Sequence, residues 1–186
     1  MSRTVGEALD DFIDHYVKTV SPLLTPWQDD WRSPCEYGNV IVTAGTETYI
    51  QWRPVRRDAP DVFAPLEAAL DTSIHPDLKL YWGRYFAASF AAQAPQGPLS
   101  LLQLWNQDDL ARLTENQIGH VVTQRRAKAP LSLFFACTED GNDYVLTVDN
   151  TSGEVLLEAP ARKPLQVVAS NLAAFLDELT PQPLRG

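Results

Sequence analysis

The sequence predicts an α+β domain in which helices pack on a largely antiparallel sheet. Three observations carry that expectation. Apolar residues recur at helical spacing in separate stretches near the start, past the middle and near the end of the chain. Between them lie short alternating apolar runs, too brief for helices. Those runs follow one another through turn signals such as Asp140-Gly141-Asn142 and Ser152-Gly153, which join antiparallel neighbours. The 186 residues, 1–186, are read as one domain without repeats or linkers. A chain of that length buries about 70% of its unfolded surface and needs no staple.

Each element has a local reason. Leu9, Phe12, Ile13, Tyr16, Val17 and Val20 share one face of a helix over residues 4–20. Thr4 and Glu7 have the spacing of a capping box, and Ser21-Pro22 ends the helix. Asp10, Asp11 and Asp14 fall on its outer face. Residues 22–38, with Pro22, Pro26, Pro34, Trp27 and Trp31, read as irregular chain packed on the domain. Residues 40–42 and 48–52 read as a strand pair joined near Gly45, and 53–61 as a polar loop. Pro65 suits the first turn of a helix to Leu70, with Leu66, Ala69 and Leu70 inward.

Residues 78–82 and 85–92 read as strands, the second placing Phe86, Ala88, Phe90 and Ala92 on one face. A turn at 94–97 leads to a returning strand over 99–105. Asn106 caps a long helix to about Lys128, with Leu110, Leu113, Gln117, Ile118, Val121 and Val122 inward. Strands follow at 131–137, 144–148 and 155–157. A last helix begins near Ser170, with Leu172, Phe175, Leu176 and Leu179 on one face.

Charge narrows the function. Fifteen Lys and Arg stand against 24 Asp and Glu, a net −9. Nucleic-acid binding runs on clustered cations, and adsorption to anionic lipid needs them too, so both are disfavoured. The balance is −5 over residues 1–50, zero over 51–100 and −4 over 101–186. Such a surface attracts a basic partner. Residues 1–20 lack the apolar core of a signal peptide. The 23 residues 85–107 carry no charge but hold Pro95, Gly97 and Pro98 at their middle, which argues against a membrane-spanning helix. The chain is therefore expected in the cytosol, and an acidic single domain of this kind is expected to be a monomer.

A search for catalytic constellations finds little. There is no GxGxxG, GxxxxGK[ST], GxSxG or HExxH pattern. Cys35 and Cys137 form neither a disulfide framework nor a zinc site and read as reduced thiols. His15 reads as solvated and His120 as structural; a hydrolase pairing Cys137 with His120 is the remaining catalytic alternative. The cluster Tyr81, Trp82, Arg84, Tyr85 and Phe86 reads as core and sheet edge, not as an RNA platform. Asp108 and Asp109 at one end of the long helix, and Arg125, Arg126 and Lys128 at the other, suit its dipole. Neither metal nor cofactor is expected.

Longer blocks carry a resemblance. Trp105-Asn-Gln-Asp108-Asp109, then Glu115-Asn116-Gln117-Ile118-Gly119-His120-Val-Val-Thr123-Gln124-Arg125-Arg126, resembles the signature helix of the Syd family of SecY-interacting proteins, within the SUKH superfamily. The first helix, Ser33-Pro34-Cys35, residues 150–155 and residues 169–176 are similar to that family too; residues 53–61 are not. The resemblance implies a SUKH-like fold and a binding protein, not an enzyme. It implies a concave acidic surface that receives basic cytosolic loops of SecY, the translocon channel. The protein would sit loosely on the cytoplasmic face of the inner membrane through that partner, and would restrain or monitor improperly assembled translocase. Candidate groove residues are Glu36, Asp61, Glu67, Asp71, Asp108, Asp109 and Glu115. The alternative within the superfamily is an immunity protein that blocks a nuclease toxin.

Overall fold

The computed structural model describes residues 2–43 and 45–183. Helix α1 (Val5–Thr19) starts at Thr4, whose hydroxyl accepts from the Glu7 N–H (3.2 Å) while the Glu7 carboxylate accepts from the Thr4 N–H (2.8 Å). This reciprocal box satisfies two donors that have no partner inside the helix. Leu9, Phe12, Ile13 and Tyr16 are buried, as their spacing predicts.

Strands β1 (Leu24–Pro26), β2 (Glu36–Val42) and β3 (Thr48–Trp52) form a small antiparallel sheet in the order β1-β3-β2. The 22–38 stretch is thus not wholly irregular. Its strand β1 exists only through pairing with Tyr49, Ile50 and Gln51, which no local pattern reveals. The expected polar loop over 53–61 likewise contains β4 (Val55–Arg56), which pairs with β5 (Tyr85–Phe86).

Helix α2 (Ala64–Leu70) has Pro65 in its first turn and buries Leu66, but Ala69 is exposed and Leu70 half-buried. The next element corrects the sequence reading. Residues 78–82 are not a strand but the core of helix α3 (Pro76–Gly83). Leu78, Leu80 and Trp82 alternate as a strand would, yet Leu78, Tyr81 and Trp82 share one helical face and are buried, while Leu80 is 42% exposed. The start decides between the two periods. Pro76 occupies the first turn, and His75 Nδ1 accepts from the Asp77 N–H (3.2 Å).

The main sheet is antiparallel and curled. It takes in β6 (Phe90–Ala94), β7 (Gly97–Leu101), β8 (Ser132–Thr138), β9 (Val145–Asp149), β10 (Val155–Glu158), β11 (Gln166–Ala169) and β12 (Thr180–Pro181), in the order β11-β10-β9-β8-β7-β6-β12. The strand expected over 85–92 is split between β5 and β6, and the buried face is Phe90, Ala92 and Ala94. The returning strand stops at Leu101, freeing residues 102–108 to reach α4 (Asp109–Arg126). Along α4, Leu113, Gln117, Val121 and Gln124 are buried, whereas Val122, expected inward, is exposed. The edge strands β11 and β12 have only neighbouring strands to define them. Helix α5 (Leu172–Asp177) is capped by Asn171 and buries Leu172, Phe175 and Leu176.

One continuous cluster of buried side chains joins these layers. Phe90 contacts Phe12, Tyr16 and Trp52, which carries α1 and β3 onto the sheet. Tyr81, Phe135 and Phe175 do the same for α3, β8 and α5.

Asp10 is another correction. It does not project into solvent from α1. It accepts from Arg84 Nε (2.7 Å), the Tyr85 hydroxyl (2.7 Å) and Arg56 Nη1 (3.2 Å), tying α1 to the α3–β5 junction. The bond from Arg84 holds the Asp10 carboxyl below its ordinary 3.8, against burial, and burial with the Asp10 bond pushes Tyr85 up to about 12. A depressed carboxyl stabilises the fold above its unfolded pKa and loses that contribution as pH falls through the folded value. Asp10→Asn should therefore flatten the fall in unfolding free energy between roughly pH 5 and pH 2. Chemical denaturation across that range checks this, and parallel curves for the two proteins would exclude the role.

Candidate functional site

The N-terminal end of α4 is built by side chains that close on the main chain. Asn106 Oδ1 accepts from the Asp109 N–H (2.9 Å), and Asp109 Oδ2 accepts from the Trp105 N–H (3.0 Å). The 27–36 segment is fastened to the same place. The Trp105 indole donates to the Trp31 carbonyl (3.2 Å), Asn106 Nδ2 to the Arg32 carbonyl (2.9 Å), and the Ser33 hydroxyl to the Trp105 carbonyl. Arg112 of α4 lies over the Trp31 ring at 5.0 Å. Helix α2 packs against α4.

The seven candidate acids divide by what they touch. Asp61 and Asp71 flank α2, Asp108 and Glu115 belong to α4 and its cap, and all four are exposed. None of these four carboxylates has an ion pair or hydrogen bond among the described residues. Asp71 closes α2 in the left-handed conformation, φ 50°. The other three are engaged within the domain. Glu36 pairs with Arg32 Nε (2.6 Å). Glu67 pairs with Lys79 Nζ and accepts from the Ile74 N–H (2.9 Å), which holds its carboxyl low and ties α2 to α3. Asp109 serves the cap described above. Sequence reasoning passed over Asp29 and Asp30, both exposed on the segment that Trp105 and Asn106 anchor. Their only local signal was two adjacent acids between two tryptophans.

The chain matches the family model described as Syd protein (SUKH-2) over residues 6–181. The chain belongs to the Syd family. Three curated relatives, each called Protein Syd, are similar along nearly their whole length. The relative from Pseudoalteromonas atlantica is 37% identical, with 97% of this chain and 98% of that protein covered. The relative from Alteromonas mediterranea is 36% identical with the same coverages, and that from Idiomarina loihiensis is 34% identical with 97% and 96% covered. These matches favour the Syd reading over the toxin-immunity one.

In this Syd-family chain the signature helix is held to the sheet by amides. Gln117 Nε2 donates to the Phe134 carbonyl (2.8 Å) and its Oε1 accepts from the Phe134 N–H (3.3 Å). Gln124 Oε1 accepts from the Ser132 N–H (3.3 Å). Glu158, 2% exposed, accepts from the Ser132 hydroxyl (2.9 Å) and Gln124 Nε2 (3.3 Å), with His120 Nε2 3.3 Å away. His120 thus faces a buried carboxylate and the edge of Phe134. Burial pushes the Cys137 thiol up, away from the thiolate that a nucleophile needs. Among the described residues no helix is long and apolar enough to cross a membrane.

Proposed function

We propose that this chain is a binding protein that docks on basic cytosolic loops of SecY through the acidic surface around α2, the start of α4 and the 27–36 segment. It performs no catalysis, uses no cofactor and acts as a monomer. Its membrane contact is indirect, through SecY on the cytoplasmic side of the inner membrane, and it restrains or monitors improperly assembled translocase. One observation carries the reading. In a chain that matches the Syd family over residues 6–181, Asp61, Asp71, Asp108 and Glu115 stand exposed on adjoining elements, with no ion pair to any of them among the described residues.

The physics favours such a pair. Cytosolic loops of membrane proteins are rich in Lys and Arg. Opposed charges raise the encounter rate and select for those loops, while phosphate-bearing partners are repelled by a net −9. Exposed charge pairs weaken as the screening length falls from about 30 Å at 0.01 M salt to about 8 Å at 0.15 M. Binding to SecY-containing membranes should therefore be strong at low salt and fall steeply as salt rises, and SecY-depleted membranes should retain little. Salt-insensitive retention on SecY-depleted membranes would contradict the proposal.

A further inference from the structure

Both tryptophans of the 27–36 segment carry an arginine of the domain on their rings, and the two arginines are held differently. The Arg32 guanidinium lies 5.7 Å from the centre of the Trp27 ring, and its Nε donates to Glu36 at 2.6 Å, a carboxylate only 5% exposed. That arginine is fixed. The Arg112 guanidinium lies nearer its ring, 5.0 Å from the centre of Trp31, but has no hydrogen bond among the described residues. Asp109 Oδ1 is 3.9 Å from Arg112 Nη1, beyond hydrogen-bond reach, and the Arg112 side chain is 66% exposed.

The surface beneath Arg112 is firmly built. Trp105 holds both halves of it. Its indole donates to the Trp31 carbonyl (3.2 Å) and its main-chain N–H to Asp109 Oδ2 (3.0 Å). Its own ring stands edge-on to the buried Trp52, centres 6.0 Å apart, which ties the arrangement to the core. Trp31 is half-buried and the Asp109 side chain 23% exposed, so both remain open to solvent. Asp109 Oδ1 accepts no hydrogen bond among the described residues. An aromatic face beside a free carboxylate oxygen suits a guanidinium, which stacks flat on the ring while its N–H groups point sideways at the oxygen. An ammonium has no such plane.

We infer that Trp31 and Asp109 form a subsite for one arginine side chain of a basic partner segment, and that Arg112 covers this subsite in the free protein and is displaced on binding. The incoming guanidinium lies on the Trp31 ring and donates to Asp109 Oδ1. Arg112 swings into solvent without breaking a hydrogen bond. Exposed acids such as Asp29, Asp30 and Asp108 attract any cation. The subsite adds a preference for arginine over lysine. That the arginine belongs to a docking segment rests on the proposed function; the subsite itself does not.

The test uses the full-length protein and two peptides of equal length and charge, one rich in Arg and one in Lys, titrated at low salt. Arg112→Gln is compared with Arg126→Gln, which removes an exposed cation from the far end of α4 and gives the same net charge. Wild type should prefer the Arg-rich peptide. Arg112→Gln should widen that preference about three- to fivefold and Arg126→Gln should not, because a site covered by its own side chain binds in proportion to the fraction left free. Trp31→Leu should abolish the preference. A preference that is absent from wild type and Arg112→Gln, or that Arg112→Gln leaves unchanged, overturns the subsite and leaves docking intact. Should Trp31→Leu fold poorly, Arg112→Gln alone decides, since it alters only an exposed side chain. A third probe, ethylguanidinium, is too small to need a docking surface. In ¹⁵N-labelled Arg112→Gln it should shift the Trp31 indole N–H resonance saturably, and ethylammonium should not. Equal responses to the two ions, or none, overturn the subsite. A response to ethylguanidinium alone, with neither peptide binding at low salt, keeps the subsite and removes the docking reading.

Discussion

Replacing Asp61 and Glu115 by Lys, and Asp71 and Asp108 by Asn, should weaken binding to SecY about a hundredfold at low salt while leaving the fold in place. The substitutions follow local geometry. Asp71 has φ 50°, a conformation that Asn accepts and Lys resists. Asp108 precedes α4, where Asn avoids setting a cation against the helix dipole. Two reversals and two neutralisations change the net charge from −9 to −3. An exposed charge pair is worth roughly 0.2–1 kcal/mol. Four lost attractions and two new repulsions therefore sum to about 2–3 kcal/mol, which is about a hundredfold in affinity. Most of the loss should appear in the association rate, and it should shrink as salt screens the encounter. Stopped-flow or surface binding to reconstituted SecY at two salt concentrations measures both. A folded variant that associates as fast as wild type at low salt removes these acids from the interface.

Gly83→Ala should cost about 3 kcal/mol of stability, seen as a fall of roughly 10 °C in Tm. A Cβ at Gly83 would stand 2.1 Å from the Ala59 carbonyl oxygen. That oxygen cannot retreat freely, because its segment is stitched to the end of α3. The Ala59 N–H donates to the Gly83 carbonyl (2.7 Å) and the Arg57 N–H to the Arg84 carbonyl (3.1 Å). The strain would spread to neighbouring side chains, since Arg57 Nη2 donates to the Trp82 carbonyl (3.3 Å) and its guanidinium lies over Phe86 at 4.3 Å. Gly119→Ala is the control. Gly119 is exposed within α4 with nothing inside 4 Å of its added Cβ, so alanine there should stabilise by about 0.5–1 kcal/mol. Thermal and urea unfolding of both variants decides the matter. Similar behaviour of the two would show that the close approach of Ala59 to Gly83 is not what makes that glycine necessary.

Legibility in the sequence tracked the range of the deciding interaction. Helix α1 was readable because its cap, its stripe and its stop all lie within residues 4–22. Strands β8, β9 and β10 were readable because turn residues separate them and neighbours in sequence pair in space. Helix α3 was misread because Leu78–Trp82 satisfies two periods at once, and the arbiter, the His75-Pro76 start, is a weak local signal. Strands β1, β11 and β12 were missed because two to four residues carry no pattern without the strand beside them.

The acids tell the same story. Sequence alone determined that this chain is acidic, unevenly so, and marked along its length by Syd-like blocks; composition and residue order settle those without folding. Which acids remain available was decided only in three dimensions. Glu67 is engaged because α3 brings Lys79 to it, and Asp10 because Arg84 arrives from 74 residues away. Asp61, Asp71, Asp108 and Glu115 keep their charge outward because none of them forms an ion pair among the described residues. Net charge is a sum over residues and survives any fold. A docking surface is the remainder after the fold has paired what it can, and that pairing depends on distances only tertiary structure sets.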